Sequence, residues 1–314
     1  MKKVIIGLVV TVVVLLAIIG GGAVYMFGVS LDRKVTPTDE EDAYAFLYEH
    51  DPSLKIWVDS LRENSALRDT FIVAADGSKL HALYVRSAIA SPNTALIIHG
   101  YTDNSIRMLM IGHLYNKEMG YNILLPDLRA HGKSDGEYIQ MGWKDRLDIM
   151  KWIDVTKDIY GDTTRMVIHG ISMGAATTMM TSGEDLPENI KCFVEDCGYT
   201  SVWDEFTHKL KDDYGLPAFP ILNAASSYSQ MKVGWNFKEA SALEQLEKSK
   251  LPMFFIHGDK DTYVPTWMVN VLYDAKQGDK ELWIVPNVEH ANAYWDCTEE
   301  YVAKTNQFVS KYIN

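Results

Sequence analysis

Residues 165–180 have the sequence RMVIHGISMGAATTMM, and this stretch decides the fold. It begins as an apolar strand, passes through Gly170-Ile171-Ser172-Met173-Gly174, and continues as a helix of small residues that can pack close to a sheet. A G-x-S-x-G sequence between a strand and a helix has the form of a nucleophile elbow, whose sharp turn projects the serine hydroxyl from the end of the sheet. The glycines are needed because larger side chains would collide where the strand and helix meet. The stretch therefore predicts a nucleophilic Ser172.

Strands and helices alternate along most of the chain around this stretch. Apolar runs predict strands at residues 94–98, 122–125, 165–169, 190–194, 253–256 and 281–285, with helices at 105–119, at 143–160, after Pro265 and after Thr298. Alternating βα units are typical of a mostly parallel sheet with helices on both faces. Earlier, residues 69–75 and 79–86 alternate about Asp76-Gly77, which predicts an antiparallel hairpin. We therefore predict an α/β fold built on one central sheet.

The composition excludes several classes of protein. The 314 residues are 47% hydrophobic and 23% charged, which is ordinary for a globular protein and unlike a disordered chain. The net charge of -12, without a basic stripe, disfavours nucleic acid as a partner. Cys192, Cys197 and Cys297 have no metal-ligand spacing, so we expect buried thiols and neither a disulfide framework nor a zinc site. The sequence also lacks a phosphate-cradling loop, and we expect no metal and no cofactor.

The N-terminus carries a second strong signal. Met1-Lys2-Lys3 precedes an almost unbroken apolar run from Val4 to about Val29. A helix over this run can cross a hydrocarbon core of about 30 Å, whereas a cleaved signal peptide has a shorter apolar region and a small-residue cleavage site. We expect a retained single-pass anchor in the cell membrane. The two lysines favour a cytoplasmic N-terminus with the rest of the chain outside, although Arg33 and Lys34 on the far side weaken that orientation.

The pattern divides the chain into three parts. Residues 1–30 are the anchor, residues 31–68 are a linker with N-terminal helices, and residues 69–314 are the α/β domain. Within that domain the alternation lapses at about 199–250, a segment rich in aromatic residues, alanine and proline. A loop of this length inside a compact domain is usually functional. We predict a small helical cap whose apolar side chains line an acyl pocket, with helices that only pack on the core as the alternative.

A serine nucleophile needs a base that takes its proton and an acid that orients the base. Asp261 follows the predicted strand at 253–256, and His290 follows the strand at 281–285. Any single histidine is more often structural than catalytic. The chain order Ser172, Asp261, His290, with each residue just after a strand, is the order in which one sheet presents a nucleophile, an acid and a base. We predict that these three residues are catalytic.

Two other carboxylates compete for the role of the acid. Asp196 also ends a strand, and Asp259 lies two residues before Asp261. We choose Asp261 because the G-x-x-D spacing lets Gly258 make the turn that follows the strand. For Asp196 we expect a different role, hydrogen bonding to the Gly198-Tyr199 loop where the chain enters the cap.

Acyl transfer also needs donors for the oxyanion, which are usually backbone N–H groups. We predict the N–H of Met173, directly after the nucleophile, and the N–H of Tyr101, in the loop after the strand at 94–98. Gly100 would let the Tyr101 backbone come close to the reacting atoms. His99 and the charged loop Asp127–Ser134 are interpreted as structural, the loop being fixed beside the site.

With these motifs in place, the chain resembles the α/β-hydrolase family, and within it the small-cap serine hydrolases similar to membrane-anchored bacterial cinnamoyl-esterase-like and serine-aminopeptidase-like proteins. The residues that carry the resemblance are His99-Gly100-Tyr101, Asp127–Ser134, Gly170–Gly174, Gly198–Ser201, His257–Pro265 and His290-Ala291. They are specific for the fold and much less specific for the substrate. The resemblance implies acyl transfer to water without metal or cofactor, on a small-molecule substrate.

Our preferred hypothesis is a carboxylic ester hydrolase that forms an acyl-enzyme on Ser172. The first alternative is a serine peptidase of the aminopeptidase type, which would need acidic groups to hold a substrate amine, whereas the cap segment is apolar with only scattered acids. The second alternative is a non-catalytic module that binds an envelope component. The intact serine, acid and base stand against that alternative. Oligomeric state and acyl specificity are left open by the sequence.

Overall fold

The computed structural model describes residues 1–33 and 40–313, so part of the predicted linker, residues 34–39, lies outside the described residues. Two compact units can be distinguished. The smaller unit comprises Met1–Asp32 and Ser201–Ser241, and the larger unit comprises Arg33–Thr200 and Ala242–Asn314. Residues 201–241, the middle of the predicted cap segment, thus belong to the smaller unit.

The helices of both units are numbered in chain order. They are α1 (Lys2–Leu31), α2 (Glu40–His50), α3 (Pro52–Glu63), α4 (Leu109–His113), α5 (Asp145–Tyr160), α6 (Met173–Ser182), α7 (Val202–Tyr214), α8 (Ile221–Val233), α9 (Ala242–Leu246), α10 (Trp267–Ala275), α11 (Ala293–Asp296) and α12 (Thr298–Tyr312). The first, seventh and eighth belong to the smaller unit, and the others to the larger.

The larger unit is organised on an eight-stranded sheet with the order β1-β2-β4-β3-β5-β6-β7-β8. Its strands are β1 (Arg68–Val73), β2 (Lys79–Val85), β3 (Asn93–Ile98), β4 (Asn122–Pro126), β5 (Arg165–Ile171), β6 (Ile190–Asp196), β7 (Met253–Gly258) and β8 (Lys280–Val285). The second strand pairs antiparallel with the first and fourth, and every later pairing is parallel. The predicted hairpin and the mostly parallel sheet are confirmed.

The central strands are apolar because both faces of the sheet are covered. Every residue of β3, β4 and β7 is buried. A strand that is buried on both faces is a continuous apolar run, whereas a half-exposed strand alternates apolar and polar residues. The polar loops follow the carboxyl ends of the parallel strands and lie at one edge of the sheet. Ser172 lies at this edge, directly after β5.

The helix predicted at 105–119 is shorter than expected. Its regular part starts only at Leu109, and a single π-helical turn, Leu114–Glu118, follows it. The Asn104 side chain accepts hydrogen bonds from the N–H groups of Ile106 and Arg107 at 3.0 and 3.1 Å. This is the bonding of an N-cap residue, which accepts from N–H groups that a helix leaves free, and residues 105–108 form turns before the regular helix begins.

The three cysteines are free thiols, with Cys192 and Cys197 buried. The strand β6 includes Cys192 and ends at Asp196, one residue before Cys197. The extended backbone between the two thiols is the arrangement that the sequence predicted.

The smaller unit joins α1 to the cap helices α7 and α8. Helix α1 is long and apolar enough to cross a membrane by length and composition. Its buried residues are Ala23, Phe27 and Leu31, spaced four apart on one face. Cap aromatic residues form a small core of their own, in which Phe206 and Phe237 meet edge to face with ring centroids 4.9 Å apart. These two rings therefore pack against each other within the smaller unit.

Candidate active site

The elbow has the backbone strain that the motif predicts. Ser172 has φ 57° and ψ -118°, a conformation that side-chain-bearing residues rarely adopt. A Cβ on Gly170 would lie 2.1 Å from the Gly174 carbonyl oxygen, and a Cβ on Gly174 would lie 2.1 Å from the Ile98 carbonyl oxygen. Only glycine fits at both positions. The Ser172 N–H donates to the Asp196 carbonyl at 2.8 Å, which fixes the turn to the neighbouring strand.

The three residues predicted as a triad lie in one hydrogen-bonded series. Ser172 Oγ lies 2.8 Å from His290 Nε2, and His290 Nδ1 lies 2.7 Å from Asp261 Oδ2. A carboxylate can only accept, so Nδ1 carries the proton and Nε2 is free to accept from the serine hydroxyl. In this tautomer the imidazole can take the serine proton. The ring of Tyr263 stacks on the His290 ring with centroids 4.9 Å apart.

The second carboxylate oxygen of Asp261 is held by the backbone. Its Oδ1 accepts from the N–H groups of Tyr263 and Val264 at 2.9 and 2.8 Å. Burial alone would raise the pKa of Asp261, but hydrogen bonds from His257 and His290 lower it to about 2. The carboxylate is therefore charged and fixed in orientation at neutral pH.

Short contacts join the loops that carry the acid and the histidine. A Cβ on Gly258 would lie 2.2 Å from the Val288 carbonyl oxygen, so the turn predicted for this glycine also sets the close approach of the two loops. Lys260 N–H donates to the Val288 carbonyl at 3.0 Å. Asp259 accepts from the Asn287 N–H at 2.6 Å, so this competing acid holds the histidine loop instead of the imidazole.

The prediction for Asp196 was wrong. The Gly198 N–H is bound by Glu195 Oε2 at 3.0 Å, whereas Asp196 Oδ2 accepts from the Tyr301 hydroxyl at 3.0 Å. Successive residues of a strand point to opposite faces, so only one of the two acids can reach the Gly198 loop. Burial raises the pKa of Asp196 to about 6 and that of Glu195 well above its ordinary value.

A cavity of about 200 Å³ opens beside Ser172 within the larger unit. Its lining includes Gly100 and Tyr101, the loop predicted to supply an oxyanion donor, together with Ser172 and His290. A Cβ on Gly100 would lie 3.4 Å from the Ser172 Cβ, so the loop backbone approaches the nucleophile closely. Met173 begins α6 directly after the serine. Both predicted donors thus belong to segments that border the nucleophile.

The cavity also contains residues that the sequence did not single out. Phe46, Met108 and Trp295 contribute apolar walls. Asp103 and Arg107 contribute charge, with Arg107 Nε 3.8 Å from Asp103 Oδ1. Phe46 lies on α2, far from the motifs in the chain, and no spacing in the sequence relates it to them. Burial raises the pKa of Asp103.

The loop Asp127–Ser134 is structural, as predicted. Asp127 accepts from the N–H groups of Ser105 and Lys133 at 2.7 and 2.9 Å and lies 2.7 Å from His81 Nδ1. Burial opposes ionisation of Asp127, but the hydrogen bond from His81 leads the interactions that lower its pKa to about 2. His99 Nε2 accepts from the Leu128 N–H at 2.9 Å, which fixes the same loop to the strand end.

One group of potential metal ligands coincides with the site. Cys197, Asp261 and His290 each offer a ligand atom, and these atoms lie within 4.8 Å of one another. The hydrogen bond between Asp261 and His290 already accounts for their proximity. Burial raises the pKa of the Cys197 thiol well above its ordinary value, which disfavours the thiolate that a metal requires. These residues therefore do not fit a metal site.

The parallel sheet, the strained serine between strand and helix, and the loops at the carboxyl edge define an α/β-hydrolase of the serine type. Residues 112–314 match the prolyl oligopeptidase family, peptidase family S9, and the chain belongs to this family.

Similar proteins include an esterase and a membrane protein. The YqkD protein of Bacillus subtilis is 31% identical over 70% of this chain and 72% of its own length. The structure of the Pyrococcus furiosus esterase Pf2001 is 26% identical, with a TM-score of 0.66 over 81% of this chain and 94% of that chain. The yeast membrane protein YNL320W is 21% identical over 74% of this chain and 78% of its own length.

Proposed function

We propose that this protein is a membrane-anchored serine hydrolase that cleaves carboxylic esters of small molecules through an acyl-enzyme on Ser172. The observation that carries the proposal is the hydrogen-bonded series from Ser172 Oγ through His290 to Asp261, with separations of 2.8 and 2.7 Å. Its members follow three parallel strands, β5, β7 and β8. A nucleophile, a base and an orienting acid within hydrogen-bond reach are what acyl transfer needs.

The reaction has two halves. Ser172 Oγ attacks the ester carbonyl carbon while His290 Nε2 accepts the hydroxyl proton, and the alcohol leaves with that proton. Water then attacks the carbonyl carbon of the acyl-enzyme while His290 Nε2 takes its proton. The bond from that carbon to Ser172 Oγ breaks, the proton passes to Oγ, and the acid product is released. The N–H groups of Met173 and Tyr101 donate to the oxyanion in both halves, and loss of one such donor typically costs about 3–4 kcal/mol of transition-state stabilisation.

The cavity supports an ester over a large peptide substrate. About 200 Å³ beside Ser172, walled by Phe46, Met108 and Trp295, accommodates a short or aromatic acyl group. The esterase Pf2001 of Pyrococcus furiosus, at 26% identity, supports the same bond type.

A peptidase is the second candidate, and one observation favours it besides the family match. Asp103 lines the cavity, and its partly exposed carboxylate could hold a substrate amine. Arg107 lies 3.8 Å from that carboxylate and already offsets its charge, which weighs toward the ester. A panel of p-nitrophenyl esters and aminoacyl p-nitroanilides separates the two, since a peptidase would have the larger kcat/KM on the anilides.

Labelling with a fluorophosphonate tests the serine hydrolase itself. Ser172→Ala should abolish labelling of the full chain in membranes or detergent, with an unchanged circular dichroism spectrum. Ser227→Ala, at an exposed position of α8, is the matched control and should label normally. Full labelling of the Ser172 variant would refute the proposal, and a wild-type protein that does not label at all would favour the non-catalytic binding module.

The anchor is the other part of the proposal. We infer that α1 is retained and spans the cell membrane, with Lys2 and Lys3 in the cytoplasm and the catalytic unit outside. The apolar length of α1 supports it, and the yeast relative is described as a membrane protein. Protease added to intact cells should remove the catalytic unit and leave a protected stub. Protection until lysis would reverse the orientation, and release into the medium with a new N-terminus would identify a signal peptide.

A further inference from the structure

Helix α1 has two parts that differ in what surrounds them. Residues 2–18 of this helix are all exposed, and Ile18 is 62% exposed. Further along, a buried stripe begins at Ala23. At 1.5 Å per residue, residues 4–23 span about 30 Å, which is the thickness of a hydrocarbon core. The outer boundary of the bilayer therefore lies close to Ala23 when the anchor of the proposed function is inserted.

Helix α8 runs beside the second part of α1 and in the same direction. A Cβ on Gly22 would lie 3.6 Å from the Ile221 side chain, at the start of α8. Further along both helices, Phe27 meets Tyr228 edge to face with ring centroids 5.0 Å apart. Since both helices advance together between these contacts, α8 leads away from the bilayer boundary. The residues that precede Ile221 therefore lie on its bilayer side.

Those residues form the corner between α7 and α8, residues 215–220. Helix α7 enters the corner at Tyr214, whose ring meets the Tyr25 ring edge to face at 6.5 Å, so this end also lies at the level of the boundary. The corner exposes apolar side chains, with Phe219 75% and Leu216 39% exposed. Both ends of the corner are thus held at the depth where a bilayer would begin, and large apolar groups project from it.

We propose that the corner at residues 215–220 docks on the membrane surface, with Phe219 and Leu216 inserted at the boundary between lipid headgroups and acyl chains. The proposal rests on the anchor and not on the hydrolase reaction. Aromatic side chains are favoured at this depth, and tyrosines such as Tyr25 and Tyr214 are typical of it. The end of α7 carries two lysines and two aspartates, and Lys209 pairs with Asp213 at 3.1 Å, so its charges balance and the docking depends on apolar contact.

The test places an environment-sensitive NBD label on the full chain in phosphatidylcholine vesicles. Cys297→Ser removes the partly exposed thiol, while Cys192 and Cys197 are buried. Single labels are then introduced by Phe219→Cys, Met231→Cys or Ile18→Cys. Met231 is the matched control because it is 78% exposed toward the far end of α8, and Ile18 reports whether the anchor is inserted.

The readouts are the emission wavelength and quenching by lipids that carry a doxyl group high on the acyl chain. We expect the label at Phe219 to shift to shorter wavelength and lose emission as the label at Ile18 does, while the label at Met231 keeps both. Quenching at Ile18 with Phe219 behaving like Met231 would overturn the docking and leave the anchor standing. No quenching at Ile18 would contradict the proposed anchor and, with it, the docking. Fluorophosphonate labelling is unaffected by either result.

Discussion

Replacing Asp261 by asparagine should invert the proton arrangement at His290. The Oδ1 atom of Asp261 accepts two backbone hydrogen bonds, from Tyr263 and Val264 at 2.9 and 2.8 Å. In Asp261→Asn only the amide oxygen can keep these bonds, so the NH₂ group must take the place of Oδ2 and face His290. An NH₂ group donates, which forces Nδ1 to accept and puts the ring proton on Nε2. Nε2 then points a proton at Ser172 Oγ and cannot take one.

The size of the loss follows from that inversion. An orienting carboxylate changed to its amide, with the geometry preserved, typically lowers kcat by about 10⁴. At 1.36 kcal/mol for each factor of ten, this corresponds to about 5 kcal/mol of transition-state stabilisation. The variant should also be less stable at neutral pH, because a neutral amide loses the charged hydrogen bonds from His257 and His290 that lower the pKa of Asp261 to about 2, so kcat is compared on folded protein.

The assay is the hydrolysis of p-nitrophenyl acetate and butyrate by the purified full chain, with kcat compared at fixed pH. Asp196→Asn is the matched control, since its amide oxygen can still accept from the Tyr301 hydroxyl, which lies 3.0 Å from Asp196 in the wild type. We expect this control to keep activity within about one order of magnitude of the wild type. Near-normal kcat in Asp261→Asn, or a larger loss in Asp196→Asn, would refute the assignment of the acid.

Three further predictions concern stability and specificity. Asp127→Asn should lower the thermal unfolding midpoint at neutral pH. Because the pKa of Asp127 is lowered to about 2, the difference in midpoint between variant and wild type should shrink as the pH falls from about 4 toward 2. A difference that stays constant over this pH range would contradict the prediction. Gly258→Ala should cost about 1–3 kcal/mol, since its Cβ would lie 2.2 Å from the Val288 carbonyl, and an unchanged unfolding midpoint would contradict it. Trp295→Ala should raise the ratio of kcat/KM for bulky acyl esters to kcat/KM for acetate by about tenfold, because Trp295 lines the cavity. Trp267→Ala, at a half-exposed position, is the control and should leave this ratio unchanged. Equal ratios in both variants would exclude Trp295 from acyl selection.

Features fixed by local pattern could be predicted from the sequence. The continuous apolar run of β7 indicates burial on two faces, and the glycines about Ser172 indicate a close backbone approach. Both are local requirements. The strand and the turn into a helix at Ser172 are present where the sequence predicts them. For Asp261, the expected proximity to His290 is present at 2.7 Å, and its catalytic role stays a prediction.

Features fixed by three-dimensional contacts could not be predicted in the same way. Glu195 and Asp196 are adjacent acids, and the choice between them at the Gly198 loop depends on which face of β6 the loop turns toward. Residues 105–108 look helical by periodicity, but they form turns before α4 begins at Leu109. Phe46 reaches the cavity only because α2 folds back beside it, and no pattern in its own segment records that.

The stripe at Ala23, Phe27 and Leu31 has a consequence for solubility. A protease cut between α1 and α2 would release a chain that still carries α8, with Ile221 and Tyr228 stripped of the helix that covers them. Such an uncovered apolar strip favours self-association. If α1 is the anchor that we propose, such a cut would therefore yield an aggregating protein instead of a freely diffusing one.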